Sequence, residues 1–244
     1  MADWNDPQST RTQFGSGPAL NGQVLGADTR DQGLRRYMLS IYNYMASGVL
    51  LSGITALLFV MSGMAAQVFS TPLRWVIALA PLAFIFFFSP RRDEGTLKLM
   101  FWTFCVAMGL SLSAILLVYT GPSIATTFFA TAGAFAGLSL YGYTTKRNLS
   151  AMGSFLLMGL VGIILASLLN FFLQSSGLAL AISILGVLIF AGLTAWDTQR
   201  LRETYYQVGG TDMAGKVVIL CALSLYLDFV NMFQFLLSFL GDRR

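Results

Sequence analysis

Two apolar stretches near the end of the chain each carry one aspartate: residues 190–200 read FAGLTAWDTQR, and residues 223–231 read LSLYLDFVN. They lie in a segment, Ser183 to Phe239, that predicts two apolar helices joined by a charged loop. The sequence has eleven acidic residues, and all except Asp197 and Asp228 lie in predicted tails or loops. An aspartate at the centre of a membrane-spanning helix costs about 2.5 to 3.5 kcal/mol. Two of them in consecutive helices therefore predict a functional pair.

Composition indicates a membrane protein. Hydrophobic residues make up 56% and charged residues 11% of the 244 residues, and the mean hydropathy is +0.69. A typical soluble domain has about 25% charged residues. The length accommodates six to eight spans of about 20 residues with short loops, which predicts one bundle rather than two domains. The net charge of +4 comes from residues beside apolar spans, a pattern that indicates membrane orientation and not nucleic-acid binding.

The remaining sequence predicts a polar tail and seven transmembrane helices in a single bundle. Residues 1–33 are polar and contain no apolar run, which predicts a disordered tail and no cleaved signal peptide. Residues 34–244 form the predicted transmembrane domain. Its spans are expected at about Tyr42–Met61, Trp75–Ser89, Leu97–Tyr119, Ser123–Tyr143, Met152–Leu173, Leu178–Glu203 and Val217–Leu240.

The distribution of lysine and arginine predicts the orientation of the bundle. With seven spans, the tail and the connections after the second, fourth and sixth spans share one side, and eleven of these residues lie on that side near the spans. The opposite side carries three. The positive-inside rule therefore places the N-terminus in the cytoplasm and the C-terminus outside.

This topology places both aspartates in the cytoplasmic half of the membrane or near its midplane. Asp197 lies within about two turns of the cytoplasmic end of its helix, and Asp228 lies twelve residues past Lys216, roughly 18 Å along the next helix. Antiparallel helices joined by a short loop are usually neighbours, so the two carboxyl groups can meet. Three polar residues are expected to support the pair from the same helix faces: Thr194, Ser224 and Asn231.

The chemistry expected of the pair is proton and cation binding. Two carboxylates in a low dielectric cannot both ionise at low cost, so the pair is expected to share one proton over some pH range. Loss of that proton leaves a negative pocket that attracts Ca²⁺ or a nearby guanidinium. The chain has no histidine, so pH sensing near neutrality requires perturbed carboxylates, other perturbed groups or the N-terminus. Alternatively, Asp197 is water-exposed at the helix end and Asp228 is a helix–helix hydrogen-bond partner.

The sequence argues against an enzyme. The absence of histidine excludes zinc-protease motifs and Ser-His dyads, and no G-x-x-x-x-G-K loop is present. An intramembrane aspartyl protease also uses two aspartates in its sixth and seventh helices, but its Gly-x-Gly-Asp motif is replaced here by Leu225, Tyr226 and Leu227 before Asp228. No cofactor is expected apart from Ca²⁺ as a bound or permeant ion.

Three segments resemble the Bax inhibitor-1 (transmembrane Bax inhibitor motif) family, and its bacterial branch above all. Residues 190–200 and residues 222–233, ALSLYLDFVNMF, are similar to the last two helices of that family. Residues 137–150, GLSLYGYTTKRNLS, also resemble the bacterial branch. The likeness covers about residues 30 to 244.

The resemblance implies a seven-helix fold with the last helix packed among the other six. It also implies a pH-sensitive Ca²⁺ leak channel of the bacterial inner membrane, with Asp197 and Asp228 as the sensing pair. A basic latch at the end of the second helix corresponds to Arg91, with Arg92 beside it, although Pro90 departs from the family pattern. Some bacterial members are described as binding and restraining an FtsH-type AAA protease through the N-terminal tail. A modulator of such a protease without ion transport is therefore the alternative function.

Overall fold

The computed structural model describes residues 18–89, 91–209 and 211–244, with side chains from residue 31 onward. These ranges contain eight α-helices and no β-strand beyond one isolated bridge between Tyr119 and Arg243. In chain order the helices are α1 (Pro18–Met61), α2 (Met64–Phe69), α3 (Leu73–Ile85), α4 (Glu94–Val118), α5 (Gly121–Thr144), α6 (Ser150–Leu173), α7 (Ser176–Val208) and α8 (Ala214–Leu240).

Polar caps and a proline mark the starts of several helices. The Asp93 carboxylate accepts hydrogen bonds from the backbone N–H (2.8 Å) and hydroxyl (2.7 Å) of Thr96 at the start of α4. These bonds hold the pKa of Asp93 below its usual range. Ser175 caps α7 by accepting from the Leu178 N–H (3.3 Å). Pro122 stands in the first turn of α5, where its missing N–H is not needed.

Six helices in the described ranges are long and apolar enough to cross a membrane: α1, α4, α5, α6, α7 and α8. The predicted second span corresponds to α3, whose 13 residues rise only about 20 Å. That rise is shorter than the hydrocarbon core of a bilayer, which is about 30 Å thick. The structure therefore confirms the all-helical membrane class, while the seventh crossing stays a prediction.

The first helix extends into the predicted tail. α1 begins at Pro18, and its apolar candidate span begins at Asp31, whereas the sequence places the first span from about Tyr42. Residues 1–17 lie outside the described residues. The expected disorder of the tail stays a prediction for those residues.

The last helix lies against several others. α8 packs against α1, α4, α5 and α7, and 50% of its most apolar 18-residue segment is buried. The hydroxyl of the fully buried Tyr226 lies 2.7 Å from Ser52 Oγ on α1, and Ser52 donates to the Cys105 carbonyl oxygen on α4 (2.7 Å). A Cβ on Gly109 would lie 2.6 Å from the Ser52 carbonyl oxygen, so α4 needs glycine at this crossing.

The connections α3–α4, α5–α6 and α7–α8 form one end of the bundle, called the basic end below. Gln199 on α7 donates to the Arg147 carbonyl oxygen (2.8 Å) and accepts from the Leu149 N–H (2.8 Å). Gly215 at the start of α8 lies against the Glu94 carboxylate at the start of α4. These contacts hold the ends of α4, α5, α7 and α8 together.

The opposite end is formed by the α4–α5 and α6–α7 connections and the C-terminus. Backbone hydrogen bonds run from Thr120 N to the Asp242 carbonyl oxygen (3.0 Å) and from Arg244 N to the Val118 carbonyl oxygen (2.9 Å). The C-terminal residues are therefore attached to the connection between α4 and α5.

Candidate functional site

Asp197 on α7 and Asp228 on α8 meet in the seam between these helices. Each residue is only 6% exposed, and the two carboxyl groups are close enough to interact electrostatically. Two buried carboxyl groups this close cannot both ionise at low cost, so we expect one of them to hold a proton. The structure thus brings together the two residues that the sequence singles out, and it excludes a water-exposed position for Asp197.

Among the described residues, Ser224 donates a hydrogen bond to the pair, and one oxygen of the pair has no partner. Ser224, one turn before Asp228 on α8, donates its hydroxyl to Asp197 Oδ2. The Oδ2 atom of Asp228 is buried and has no hydrogen-bond partner among the described residues. Buried polar atoms in proteins are nearly always bonded, so an unsatisfied carboxyl oxygen here indicates a site that can accept a proton or a cation.

The other two supporting residues form no hydrogen bond with the pair. Thr194 is fully buried, but its hydroxyl donates to the Phe190 carbonyl oxygen on its own helix (2.8 Å). The Asn231 side-chain amide likewise donates to the Leu227 carbonyl oxygen (2.8 Å). Of the three predicted supporting residues, Ser224 alone bonds to the pair, because the donors of the others are used by their own helix backbones.

The predicted latch residues lie at the basic end, away from the pair. The Arg92 side chain donates to the Phe87 carbonyl oxygen (3.2 Å), and the Arg91 backbone N–H donates to Ser89 Oγ (3.4 Å). Within the described ranges, neither guanidinium forms an ion pair with an aspartate. The structure therefore does not bring the latch to Asp197 or Asp228, and the latch stays a prediction.

The structure adds a basic residue that the sequence analysis did not single out. Arg200 lies one turn after Asp197 on α7 and interacts electrostatically with it. Its guanidinium also stands over the Trp196 ring, 5.4 Å from the ring centroid. The three-residue spacing from the aspartate is visible in the sequence and could have indicated this residue.

A polar cavity lies between α6, α7 and α8, on the side of the pair that faces the opposite end. Its volume is about 310 Å³, and its lining includes the side chains of Ser167, Asn170, Ser183, Asn231, Gln234 and Ser238. Ser183 donates to Ser238 across the seam (2.9 Å). Asn231 lies one turn from Asp228 on α8, so polar side chains line α8 from the pair toward the opposite end.

The pair by itself does not make a resident calcium site. Ca²⁺ takes six to eight oxygen ligands, and two aspartates supply four at most. The described part of the chain holds no cluster of three or more His, Cys, Asp or Glu side chains that could bind a metal.

Six helices long and apolar enough to cross a membrane, with a buried carboxyl pair in the seam between two of them, define a multi-pass helical membrane protein with a buried acidic site. The sequence model of the family described as "Inhibitor of apoptosis-promoting Bax1" matches residues 34–244, and the chain belongs to this family. The predicted resemblance is thereby confirmed.

Bacterial relatives match over most of their length. An uncharacterized protein of Rickettsia prowazekii is 46% identical over 220 residues, covering 88% of this chain and 93% of the relative. An uncharacterized protein of Caulobacter vibrioides is 48% identical over 230 residues, covering 88% and 91%. The inner membrane protein YbhL of Escherichia coli is 43% identical over 219 residues, covering 87% and 94%. These likenesses and the six apolar helices support the predicted location in a bacterial inner membrane.

Proposed function

We propose that the chain is a pH-sensitive cation leak channel that passes Ca²⁺ across the inner membrane. In this proposal seven helices cross the bilayer, with α3 as the short seventh crossing, the N-terminus in the cytoplasm and the C-terminus outside. α8 is the central helix, and its packing against α1, α4, α5 and α7 supports that position. The basic end then faces the cytoplasm, in agreement with the distribution of Lys and Arg.

One observation carries the proposal: two buried carboxyl groups lie close enough to interact electrostatically, and Asp228 Oδ2 has no hydrogen-bond partner among the described residues. Burying such a pair is costly, and a structural role would be filled better by groups whose hydrogen bonds are all satisfied. A shared proton keeps the pair at a single negative charge. Release of this proton adds a second charge, which favours a cation beside the unsatisfied oxygen of Asp228.

The polar cavity between α6, α7 and α8 supports a path from outside to the pair. Hydroxyl and amide groups such as those of Ser183, Gln234 and Ser238 can replace part of the hydration shell of a cation. The cavity reaches Asn231, one turn from Asp228. A cation that enters from the opposite end would thus meet polar groups before it meets the carboxyl pair.

The test is Ca²⁺ flux into liposomes that contain the purified protein, measured with an enclosed dye across about pH 6 to 8. We expect the wild type to show a pH-dependent rate, and Asp197→Asn and Asp228→Asn to lose that dependence. Asp212→Asn, in the exposed α7–α8 connection, is the matched control and should behave as the wild type. Equal flux and equal pH response in the wild type and both pair variants would refute the channel proposal.

The Asp228→Asn variant also separates the channel from the alternative function. A modulator of an FtsH-type protease that does not transport ions should bind its partner equally well with Asp228→Asn. In a channel, the pH response should disappear in this variant even if partner binding survives. Co-purification with the protease, measured beside flux on the same preparation, gives both results.

A further inference from the structure

A long groove lies between α1 and α5, on the side of the bundle away from the polar cavity. α1 packs against α4 and α8, and α5 packs against α7 and α8, so that α8 forms the floor of the space between them. Three adjoining cavities of about 850, 460 and 200 Å³ occupy this space, and Phe229 lines all three. We call this space the α1–α5 groove.

The α1–α5 groove has the length of a lipid bilayer. On α1 it runs from Asp31 at the basic end to Leu57, which is roughly 39 Å of helix, close to the ~40 Å of a bilayer with its head groups. The hydrocarbon core of a bilayer is about 30 Å thick. Leu39, Leu50 and Leu57 are each more than half exposed along its rim. In a membrane the groove therefore opens sideways toward lipid.

Polarity in the groove is confined to the basic end. Asp31, Arg35, Ser139 and Tyr143 line the cavity at that end, together with apolar residues. The two cavities farther along are lined almost entirely by apolar side chains. A ligand that fits this pattern has a charged group at one end and a long apolar chain.

Ser139 provides an independent sign of a ligand. This residue is 6% exposed and lines the groove, and its covered hydroxyl oxygen has no hydrogen-bond partner among the described residues. A rotation about the Cα–Cβ bond is needed to bring the hydroxyl to a ligand in the groove. A transmembrane helix of a partner protein could not readily supply an acceptor, because its backbone carbonyl groups are already bonded within the helix. The ester carbonyl of a phospholipid is a free acceptor at the depth just below the head group.

The charges at the mouth of the groove indicate the head group. Asp31 and Arg35 are one turn apart on α1, and neither forms an ion pair with the other or with another described residue. Arg35 can bind a phosphate through charge-assisted hydrogen bonds, and Asp31 can accept from an ammonium group. A head group that carries both charges satisfies both residues.

We propose that the α1–α5 groove binds one zwitterionic aminophospholipid of the leaflet at the basic end. Its phosphate lies at Arg35, its ammonium group at Asp31, an ester carbonyl accepts from the Ser139 hydroxyl once that side chain has rotated toward the groove, and an acyl chain lies along α1 over Phe229. The proposal does not rest on ion conduction. The lipid would nevertheless lie against the two helices that carry the aspartates, because Phe229 follows Asp228 on α8 and Tyr42, which lines the groove, has its hydroxyl 3.4 Å from Thr198 Oγ1 on α7.

Native mass spectrometry of the full-length protein, released from detergent with added phosphatidylethanolamine or phosphatidylglycerol, tests the proposal. We expect one tightly bound phosphatidylethanolamine per chain in the wild type and weaker binding of phosphatidylglycerol. Arg35→Ala should weaken the binding of phosphatidylethanolamine by about tenfold or more, the factor expected for loss of a charge-assisted hydrogen bond. Arg36→Ala is the matched control, since Arg36 is exposed and does not line the groove. Asp31→Asn should reduce the preference for phosphatidylethanolamine.

A second pair of variants tests the apolar part of the groove. Ala136→Leu fills the cavity at the basic end, whereas Ala130→Leu places the same side chain on an exposed part of α5 that does not line the groove. We expect Ala136→Leu to displace the lipid and Ala130→Leu to retain it, with similar melting temperatures. Equal lipid retention by Arg35→Ala, Ala136→Leu and the wild type would overturn the proposal. Mass spectra that show a second copy of the chain bound, with no lipid, would also overturn the proposal.

Discussion

The ring of Phe190 on α7 stacks on the ring of Phe235 on α8, with centroids 5.8 Å apart and ring planes 25° apart. Phe190 lies seven residues before Asp197, and Phe235 lies seven residues after Asp228. Because seven residues are about two helical turns, the aromatic pair lies on the same faces of the antiparallel helices as the carboxyl pair, roughly 10 Å closer to the opposite end. A Cβ on Gly186 would lie 2.5 Å from the Phe235 ring, so glycine makes room for this stack.

This geometry predicts that the aromatic pair restricts ion passage along the seam. Hydrophobic constrictions in channels close by excluding water. Phe190→Leu and Phe235→Leu should therefore raise the basal Ca²⁺ leak of liposomes several-fold. Phe172→Leu on α6, where the side chain is 74% exposed, is the matched control and should not change the leak. An unchanged leak in both seam variants, with the protein folded, would contradict the prediction.

The hydroxyl of Ser224 should affect the pH response. It donates to the Asp197 carboxylate, and a donor of this kind favours the charged form of its acceptor. In Ser224→Ala the midpoint of the flux against pH should move to higher pH, while Ser224→Thr, which keeps a hydroxyl, should stay near the wild type. The measurement is a flux titration at constant ionic strength. A midpoint that is the same in all three proteins would show that the bond has no part in sensing.

The latch prediction requires movement of the α3–α4 connection, since Arg91 and Arg92 do not contact the pair in this structure. If a guanidinium approaches the pair in a closed state, Arg91→Ala should raise the basal leak, because the negative charge then loses its partner. Arg74→Ala, near the opposite end, removes the same charge from the start of α3 and should have no effect. The measurement is the basal Ca²⁺ leak at fixed pH. An equal leak in the wild type, Arg91→Ala and Arg74→Ala would contradict the latch prediction.

Tyr226 and Ser52 should matter for stability. Tyr226→Phe removes the bond to Ser52 Oγ (2.7 Å) and should lower the free energy of unfolding by about 1 kcal/mol. Ser52→Ala leaves the fully buried Tyr226 hydroxyl without that partner, which costs about 1 to 3 kcal/mol. Tyr206→Phe, at a ring that is 65% exposed, is the control for unfolding in detergent micelles. A larger loss in Tyr226→Phe than in Ser52→Ala would contradict this explanation.

The sequence by itself determined the class of protein and the location of its acidic site. An aspartate within an apolar helix is costly wherever the helix packs, so Asp197 and Asp228 could be recognised before any contact was known. The stretch around Asp197 also carried the family likeness, which the match over residues 34–244 confirms. These inferences depend on composition and local spacing, which are properties of the chain alone.

The tertiary structure decided which of the predicted residues meet. Helical spacing assigns Thr194 and Asn231 to a face, but it does not show that their donors are used by their own helix backbones. Likewise, the short α3, the Phe190–Phe235 stack and the α1–α5 groove depend on which helices touch and which stay apart. The physical reason is that contacts between helices far apart in sequence depend on packing across the whole bundle, which local periodicity does not encode.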